Sequence, residues 1–374
     1  MKIALVTDTF APQVNGVTTV LIRMATAIRE AGHDVIVVAP RYPGQEESRA
    51  NGQLRLASVP FPPYPAIRLT IPPYGDAYRY LSSFAPDVVH VATEGPLGGV
   101  GRRYALRTKT PLVTSFHTDF PRYCRDYGLP SLESWVWRWL VWFHRPARLT
   151  HTPGEAILAK LQGRGLSQAV LWGRGVDTAL FSPQRRMPEW RQRLGLAEEA
   201  VIVVHVGRLA REKNLGVLAN AWSLARKQLG GAAEFLLVGD GPIAAELEAK
   251  LPWVRRMGFM ARNELANVYA NSDICLLPSD TETCGLVALE AMASGLPVVA
   301  ADAGGFRDSV RAEHNGLLVP PDRPETFADA VVRLALDSDY RRALASRARQ
   351  TAEERDVEAE NALLIDHYRQ TTTN

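Results

Sequence analysis

Cysteine is scarce in this 374-residue chain, which holds only Cys124, Cys275 and Cys284. Their odd number and the lack of metal-ligand spacing argue against a disulfide framework or a thiolate metal site. A reducing cytoplasm is the compartment expected. Long hydrophobic runs are missing too. No apolar stretch approaches the ~18 residues of a membrane-spanning helix. The apolar start, Lys2 to Thr7, is short and runs into Asp8 and Pro12. It reads as a first strand, not a signal peptide. There is no fixed-period repeat and no low-complexity tract. What remains has the composition of a soluble globular protein, with length enough for two domains that each have a core.

The formal net charge is +3, unevenly distributed. Residues 1–180 hold 20 Lys and Arg against 13 Asp and Glu, a net of +7; the remainder holds 23 against 27, a net of −4. The basic half suits an anionic surface such as membrane lipid or a phosphorylated acceptor. Nucleic acid is not an expected partner.

Short β-rich runs recur at 2–7, 34–39, 87–92, 111–116 and 148–152. Helix-period segments lie between them, including 17–31, 96–108 and 154–163. The pattern pauses around 173–199, where Gly173, Gly175, Pro183 and Pro188 fall. It restarts with strands at 201–206, 234–238, 273–277 and 296–301. Helices are expected at 214–229, 242–250, 262–271 and 285–294, and helical segments close the chain from 324 to about 369. Alternation of this kind means βαβ units and parallel sheets. The α/β class follows, as two doubly wound Rossmann-like domains facing a cleft. The expected domains are 1–178, 179–355 and a C-terminal helix, 356–374, that returns toward the first domain. Ligands in such sheets bind beyond the strand C-terminal ends.

The densest such region is Ser279 to Ala301, S-D-T-E-T-C-G-L-V-A-L-E-A-M-A-S-G-L-P-V-V-A-A. Glu282 falls in a polar loop, Gly285 where a helix should begin, and Glu290 inside that helix. A helix start offers free N–H groups and a positive dipole end, which suit a phosphate. Fully helical spacing would set the two carboxylates ~12 Å apart. A glycosidase pair needs roughly 5–9.5 Å. One extended ligand held at two places fits better, with Cys284, Gly285 and Leu286 under its charged middle.

Other strand ends carry further candidates. Asn15 and Gly16 stand where the helix from Val17 begins, and Gly16 allows either a turn or a close backbone approach to a ligand. The 111–116 strand runs into F-H-T-D-F, so His117 and Asp119 should project from the sheet edge. The 201–206 strand ends in V-G-R-L-A-R-E-K-N. There Gly207 and Arg208 leave the strand, Lys213 precedes a helix, and Asn214 can cap it. A guanidinium and an ammonium at one strand end suit a diphosphate.

Two patterns mislead. Gly239-Asp240-Gly241-Pro242-Ile243-Ala244 matches a dinucleotide fingerprint, with Pro242 in a first helical turn. The next strand ends near Gly258-Phe259-Met260 without an acid for a ribose hydroxyl. Asp337-Ser338-Asp339 resembles a metal-binding D-x-D but lies between helices, where such residues are caps. In the 122–148 segment Trp135, Trp139 and Trp142 follow helical spacing among five arginines. Core packing is the expectation for that stripe; a membrane-surface helix is the alternative.

Taken together, N-G-V near the start, F-H-T-D-F, G-R-G-V-D at 173–177, G-R-L-x-x-E-K-N at 207–214 and E-x7-E from Glu282 to Glu290 resemble the retaining glycosyltransferases of the GT-B fold in family 4. The fuller runs W-G-R-G-V-D-T-x-x-F-S-P and T-S-F-H-T-D-F look most like bacterial GDP-mannose-dependent α-mannosyltransferases. They are also similar to sulfoquinovosyl- and glucosyltransferases that make glycolipids. The family often has Phe where this chain has Cys284, a departure expected to alter packing.

The resemblance implies a nucleotide-sugar donor and a hexose transferred to a lipid or saccharide hydroxyl, with no metal or other cofactor. Arg208 and Lys213 would neutralise the leaving diphosphate, helped by backbone at Gly16 and Gly285. Glu282 would hold sugar hydroxyls, and Glu290 ribose hydroxyls. The Gly258–Met260 strand end would meet the base. His117 would lie against the donor sugar, and Asp119 would help place the acceptor. A UDP-sugar donor, or an epimerase or phosphorylase on the same fold, is the alternative. Peripheral association with the inner membrane face is compatible with this reading.

Overall fold

The computed structural model describes residues 1–13, 15–44, 52–61, 64–126, 128–173, 175–197 and 199–373. Arg174, quoted in a motif above, lies outside the described residues. The chain divides into two compact units, Met1–Gly173 with Glu360–Asn374, and Arg174–Ala359.

The first unit is built on a seven-stranded parallel sheet. Its strands are β1 (Lys2–Val6), β2 (Asp34–Pro40), β3 (Gln53–Leu56), β6 (Val88–Val91), β7 (Leu112–Ser115), β8 (Leu149–Thr152) and β9 (Ala169–Leu171). They lie in the order β3-β2-β1-β6-β7-β8-β9. An antiparallel pair, β4 (Ser58–Phe61) and β5 (Tyr64–Thr70), stands apart from it. In β1, four of the five residues are buried. A parallel sheet covered on both faces needs such an unbroken apolar run. Ala4 and Val6 pack with Ile36, Val38, Val89 and Val91 in one core cluster.

The second unit has a six-stranded parallel sheet. Its strands are β10 (Val201–Val206), β11 (Ala233–Val238), β12 (Arg255–Gly258), β13 (Ile274–Leu277), β14 (Val298–Ala301) and β15 (Gly316–Val319). The order is β12-β11-β10-β13-β14-β15. The neighbours β10 and β13 flank the switch in strand order. Loops leaving their C-terminal ends therefore meet at the place where such sheets bind ligands.

The expected strands and helices are present with small shifts. The glycine-headed helix runs Leu286–Ala293. The helix after the G-x-G-x-x-A run starts at Ala244 and leaves Pro242 in the preceding turn, not in a first helical turn. No described helix is long and apolar enough to cross a membrane.

The tryptophan stripe is corrected in part: Trp139 packs against the core as expected, but Trp135 and Trp142 do not. The helix Glu133–His144 buries Trp137, Leu140, Phe143 and His144. Trp135 and Trp142 lie on its other side, 62% and 57% exposed. Phe116 stacks on Trp137 with ring centres 6.3 Å apart, so that indole fills the core in their place.

Candidate functional site: a cationic loop joined to a glycine-headed helix

β10 delivers Gly207 and Arg208 out of the sheet, and a single helical turn, Arg211–Lys213, follows. β13 delivers the loop that carries Ser279 to Gly285. The two loops are tied together. The hydroxyls of Thr281 and Ser279 donate to Glu212 O at 2.9 and 3.4 Å. Lys213 Nζ forms an ion pair with Glu282 Oε1, and Arg208 with Glu212. Glu212 is almost wholly buried, while Arg208 keeps 39% of its side chain exposed. Two cations on the loop after β10 are thus held by two carboxylates, Glu212 from that loop and Glu282 from the loop after β13.

Gly285 precedes the helix in the left-handed region, φ +67°. A methyl there would meet Phe306 Cδ1 at 2.8 Å, so glycine is required twice over. The Glu282 loop rests on Gly304 and Gly305. A Cβ on Gly304 would lie 2.4 Å from Glu282 O, and one on Gly305 2.6 Å from Cys284 N. Gly305 N donates to Glu282 O at 2.8 Å. Cys284 itself is buried. Leu286 opens the helix, and Glu290 lies on it, half-buried, near enough to Cys275 and Tyr269 to help raise both their pKa values. Burial is the main cause of both shifts.

Beneath this region lies His205 of β10. Its Nδ1 is 2.8 Å from Leu276 O. Burial pushes its pKa down to about 4; the Leu276 contact opposes this, Lys213 adds to it and Glu282 opposes it. A neutral ring here puts no competing charge under the cations. Asn214, expected to cap the following helix, does not. Its backbone is left-handed at φ 55°, and its Nδ2 donates instead to Pro321 O at 2.8 Å.

The dinucleotide-like run has a packing explanation. A Cβ on Gly239 would fall 1.9 Å from Gly207 O, and one on Gly241 2.4 Å from Leu209 O. These glycines let the Arg208 loop lie against β11. Leu209 N donates to Asp240 O at 2.9 Å, and Gly239 N to Gly258 O at 2.8 Å. Gly258 ends β12, with Met260 two residues beyond. At the D-x-D run, Asp337 Oδ1 accepts from Tyr340 N at 2.9 Å and caps the helix Ser338–Glu353.

The first unit holds the remaining candidates at its own strand ends. Asn15 caps the helix Gly16–Glu30, with Oδ1 accepting from Thr18 N at 2.8 Å. A methyl on Gly16 would meet nothing within 4 Å, so internal packing does not explain that glycine. His117 and Asp119 follow β7, both buried. Asp119 is engaged by Lys160 Nζ at 2.9 Å and by Arg122 N at 3.3 Å.

Residue-by-residue reading missed four polar residues: Asp8, Glu94, His144 and Glu212. Asp8 accepts from Leu97 N at 2.8 Å and Gly98 N at 3.1 Å, and so caps the helix Pro96–Thr108. Burial raises its pKa, against the pull of those N–H groups. Glu94 and His144 form a buried pair at 3.2 Å. Glu212 fixes Arg208. Asp8 and the Glu94–His144 pair find their partners 50 or more positions away, beyond any local spacing rule.

Comparison with known proteins agrees with this arrangement. The family model described as Glycosyltransferase Family 4 matches residues 14–180, and that described as Glycosyl transferases group 1 matches residues 200–337. A GDP-mannose-dependent alpha-mannosyltransferase of Mycobacterium tuberculosis is 35% identical over 353 residues, 93% of this chain and 91% of that protein. The chain belongs to glycosyltransferase family 4. This glycosyltransferase is also 33% identical over 341 residues to the sulfoquinovosyl transferase SQD2 of Arabidopsis thaliana, covering 89% of the chain and 66% of that protein. Among solved structures, Anabaena Alr3699/HepE in complex with UDP overlays with a TM-score of 0.80 at 23% identity, across 99% of this chain and all of that one. The shared fold is GT-B, with two parallel-sheet α/β domains. The enzyme is a glycosyltransferase of a family that uses nucleotide sugars.

Proposed function

We propose that this glycosyltransferase moves mannose from GDP-mannose to a hydroxyl of a lipid or saccharide, retaining anomeric configuration and using no metal ion. The observation that carries the reading is the joining of Lys213 to Glu282, immediately before the helix headed by Gly285. Arg208 enters the same region from the same loop. The donor assignment draws on the mannosyltransferase relatives.

Breaking the bond between the anomeric carbon and the diphosphate oxygen puts negative charge on the diphosphate and positive charge on the sugar. Arg208 and Lys213, now balanced by Glu212 and Glu282, can turn to the departing diphosphate. Fixed cations and N–H dipoles of this kind stabilise developing charge without reorganising. Glu282 is then released to hold sugar hydroxyls, and Glu290 is placed one helical stretch further for the ribose. The acceptor oxygen bonds to the anomeric carbon on the face the diphosphate leaves. Its proton passes to a diphosphate oxygen, and GDP departs. No side chain is needed as a base.

The test is GDP release from GDP-mannose with lipid and saccharide acceptors, in EDTA, with the product's anomeric configuration read by NMR. Acceptor-dependent release giving an α-mannoside is expected. Turnover with UDP-sugars alone would move the donor assignment. Loss of turnover on chelation, restored by Mg²⁺, would end the metal-free mechanism. Conversion of donor without acceptor, or only with inorganic phosphate, would make the enzyme an epimerase or a phosphorylase.

A further inference from the structure

One face of the first unit combines exposed indoles with unbalanced positive charge. Trp135, Arg138, Trp142 and Arg145 succeed one another at three- and four-residue steps on the uncovered side of Glu133–His144. Such steps place side chains in one stripe. Leu132, 46% exposed, precedes Trp135 by three residues and extends it. Leaving apolar side chains in water forgoes roughly 25 cal/mol per Å² of apolar surface. Fold stability therefore does not account for two large indoles at this site.

The stripe continues onto the helix Pro96–Thr108. Arg102 Cζ lies 4.0 Å from the centre of the Trp142 ring. Its Nε and Nη2 donate to Phe143 O and Trp142 O at 2.9 and 3.1 Å. Residues 96–109 and 133–148 together hold seven Lys and Arg against a single acid, Glu133. That acid is itself held by Arg125 at 3.2 Å. Among the described residues, Arg138 and Arg145 have no ion-pair partner.

We infer that this face docks the first unit on an anionic lipid bilayer, with Trp135 and Trp142 entering the headgroup layer and the arginines meeting lipid phosphates. Indoles settle at the boundary between hydrocarbon and water, and arginine stems reach back to the charged surface. A basic helix face with aromatic anchors lies in that plane. A second copy of the chain packed on this face about a two-fold axis would set like charges against each other. The inference requires neither the donor nor the reaction proposed above.

The test is sedimentation of the full chain with vesicles of phosphatidylcholine alone and of an equal mixture with phosphatidylglycerol. Binding is expected only to the mixed vesicles, weaker at high salt, with a blue shift of tryptophan fluorescence. Arg138→Gln and Arg145→Gln should each weaken it roughly 5-fold. Trp135→Ser with Trp142→Ser should weaken it by 10-fold or more and remove most of the shift, whereas the paired Phe variants keep most of the affinity. Circular dichroism melting of each variant separates lost docking from lost folding. Absence of binding by the unaltered chain, or equal binding by folded Ser variants, would overturn the inference. So would a lipid-free dimer in sedimentation velocity that the Ser variants abolish, since it would give the face to a second copy.

Discussion

Each cation of the candidate site already has an internal anion. Glu212 holds Arg208 and Glu282 holds Lys213. A diphosphate must therefore compete with two carboxylates, and it does so best when its charge is greatest, as the glycosidic bond breaks. On this account the interactions strengthen toward the transition state, which is what accelerates a reaction. Arg208→Ala and Lys213→Ala should each lower kcat by ~10²-fold or more, as the loss of a transition-state donor does. KM for the donor should change far less. Steady-state kinetics with saturating acceptor reads this directly; full kcat in both variants would remove the pair from the mechanism. His205, kept neutral below them, marks how local the balance is: another positive charge there would lie under the cations and repel them.

The C-terminal helix Val357–Thr373 is fastened to the first unit by buried polar contacts rather than by an apolar stripe alone. Tyr368 OH is 2.6 Å from His90 Nδ1, and His90 Nε2 is 2.7 Å from Ser115 Oγ. His367 Nδ1 is 3.1 Å from His151 Nε2. Burial lowers the pKa of His90 to about 3 and that of His151 well below 6.5. The unfolded chain binds the proton first, so this stability is whole above pH 6.5 and is lost as pH falls toward 3. His90 alone should remove about 3 kcal/mol by pH 4. Urea unfolding at pH 7, 5 and 4 should show the midpoint falling, with a shallower fall in His90→Gln. Little of this fastening was legible from spacing. Strands such as β10, V-I-V-V-H-V, announce themselves as apolar runs, because both faces are covered. The rim strands β3, β9 and β15 do not. β3 carries Arg55, β9 has three residues, and β15 opens on Gly316. That Lys213 and Glu282 stand just past apolar strands and before helix starts was legible, but the ion pair between them, 69 positions apart in the chain, was not. Trp135 and Trp142 were misread, whereas Trp139 does pack against the core, because helical spacing does not say which face is covered.

The two units divide the chemistry unevenly. Most groups proposed for the nucleotide, namely Arg208, Lys213, Gly285, Glu290 and the Gly258 strand end, belong to the second unit, and the first contributes the Gly16 backbone. A nucleoside diphosphate at 100 times its Kd should therefore raise the second unit's stability by about 2.7 kcal/mol. Calorimetry should show the later-shifting transition belonging to residues 174–359, with the first unit's transition much less affected. Equal shifts in both would give the first unit an equal share of the nucleotide contacts. The chain also passes between the units twice, at Gly173 and again at Glu360. Trp172 Nε1 donates to Glu360 O at 2.9 Å, and Arg148 Nη1 to Thr371 O at 2.7 Å, so residues 360–373 complete a body begun by Met1. During synthesis the ribosome releases the entire second unit before it releases the segment that finishes the first. The lobe translated earliest is thus closed only by a segment made after the second unit, and a chain cut before Glu360 would leave it open.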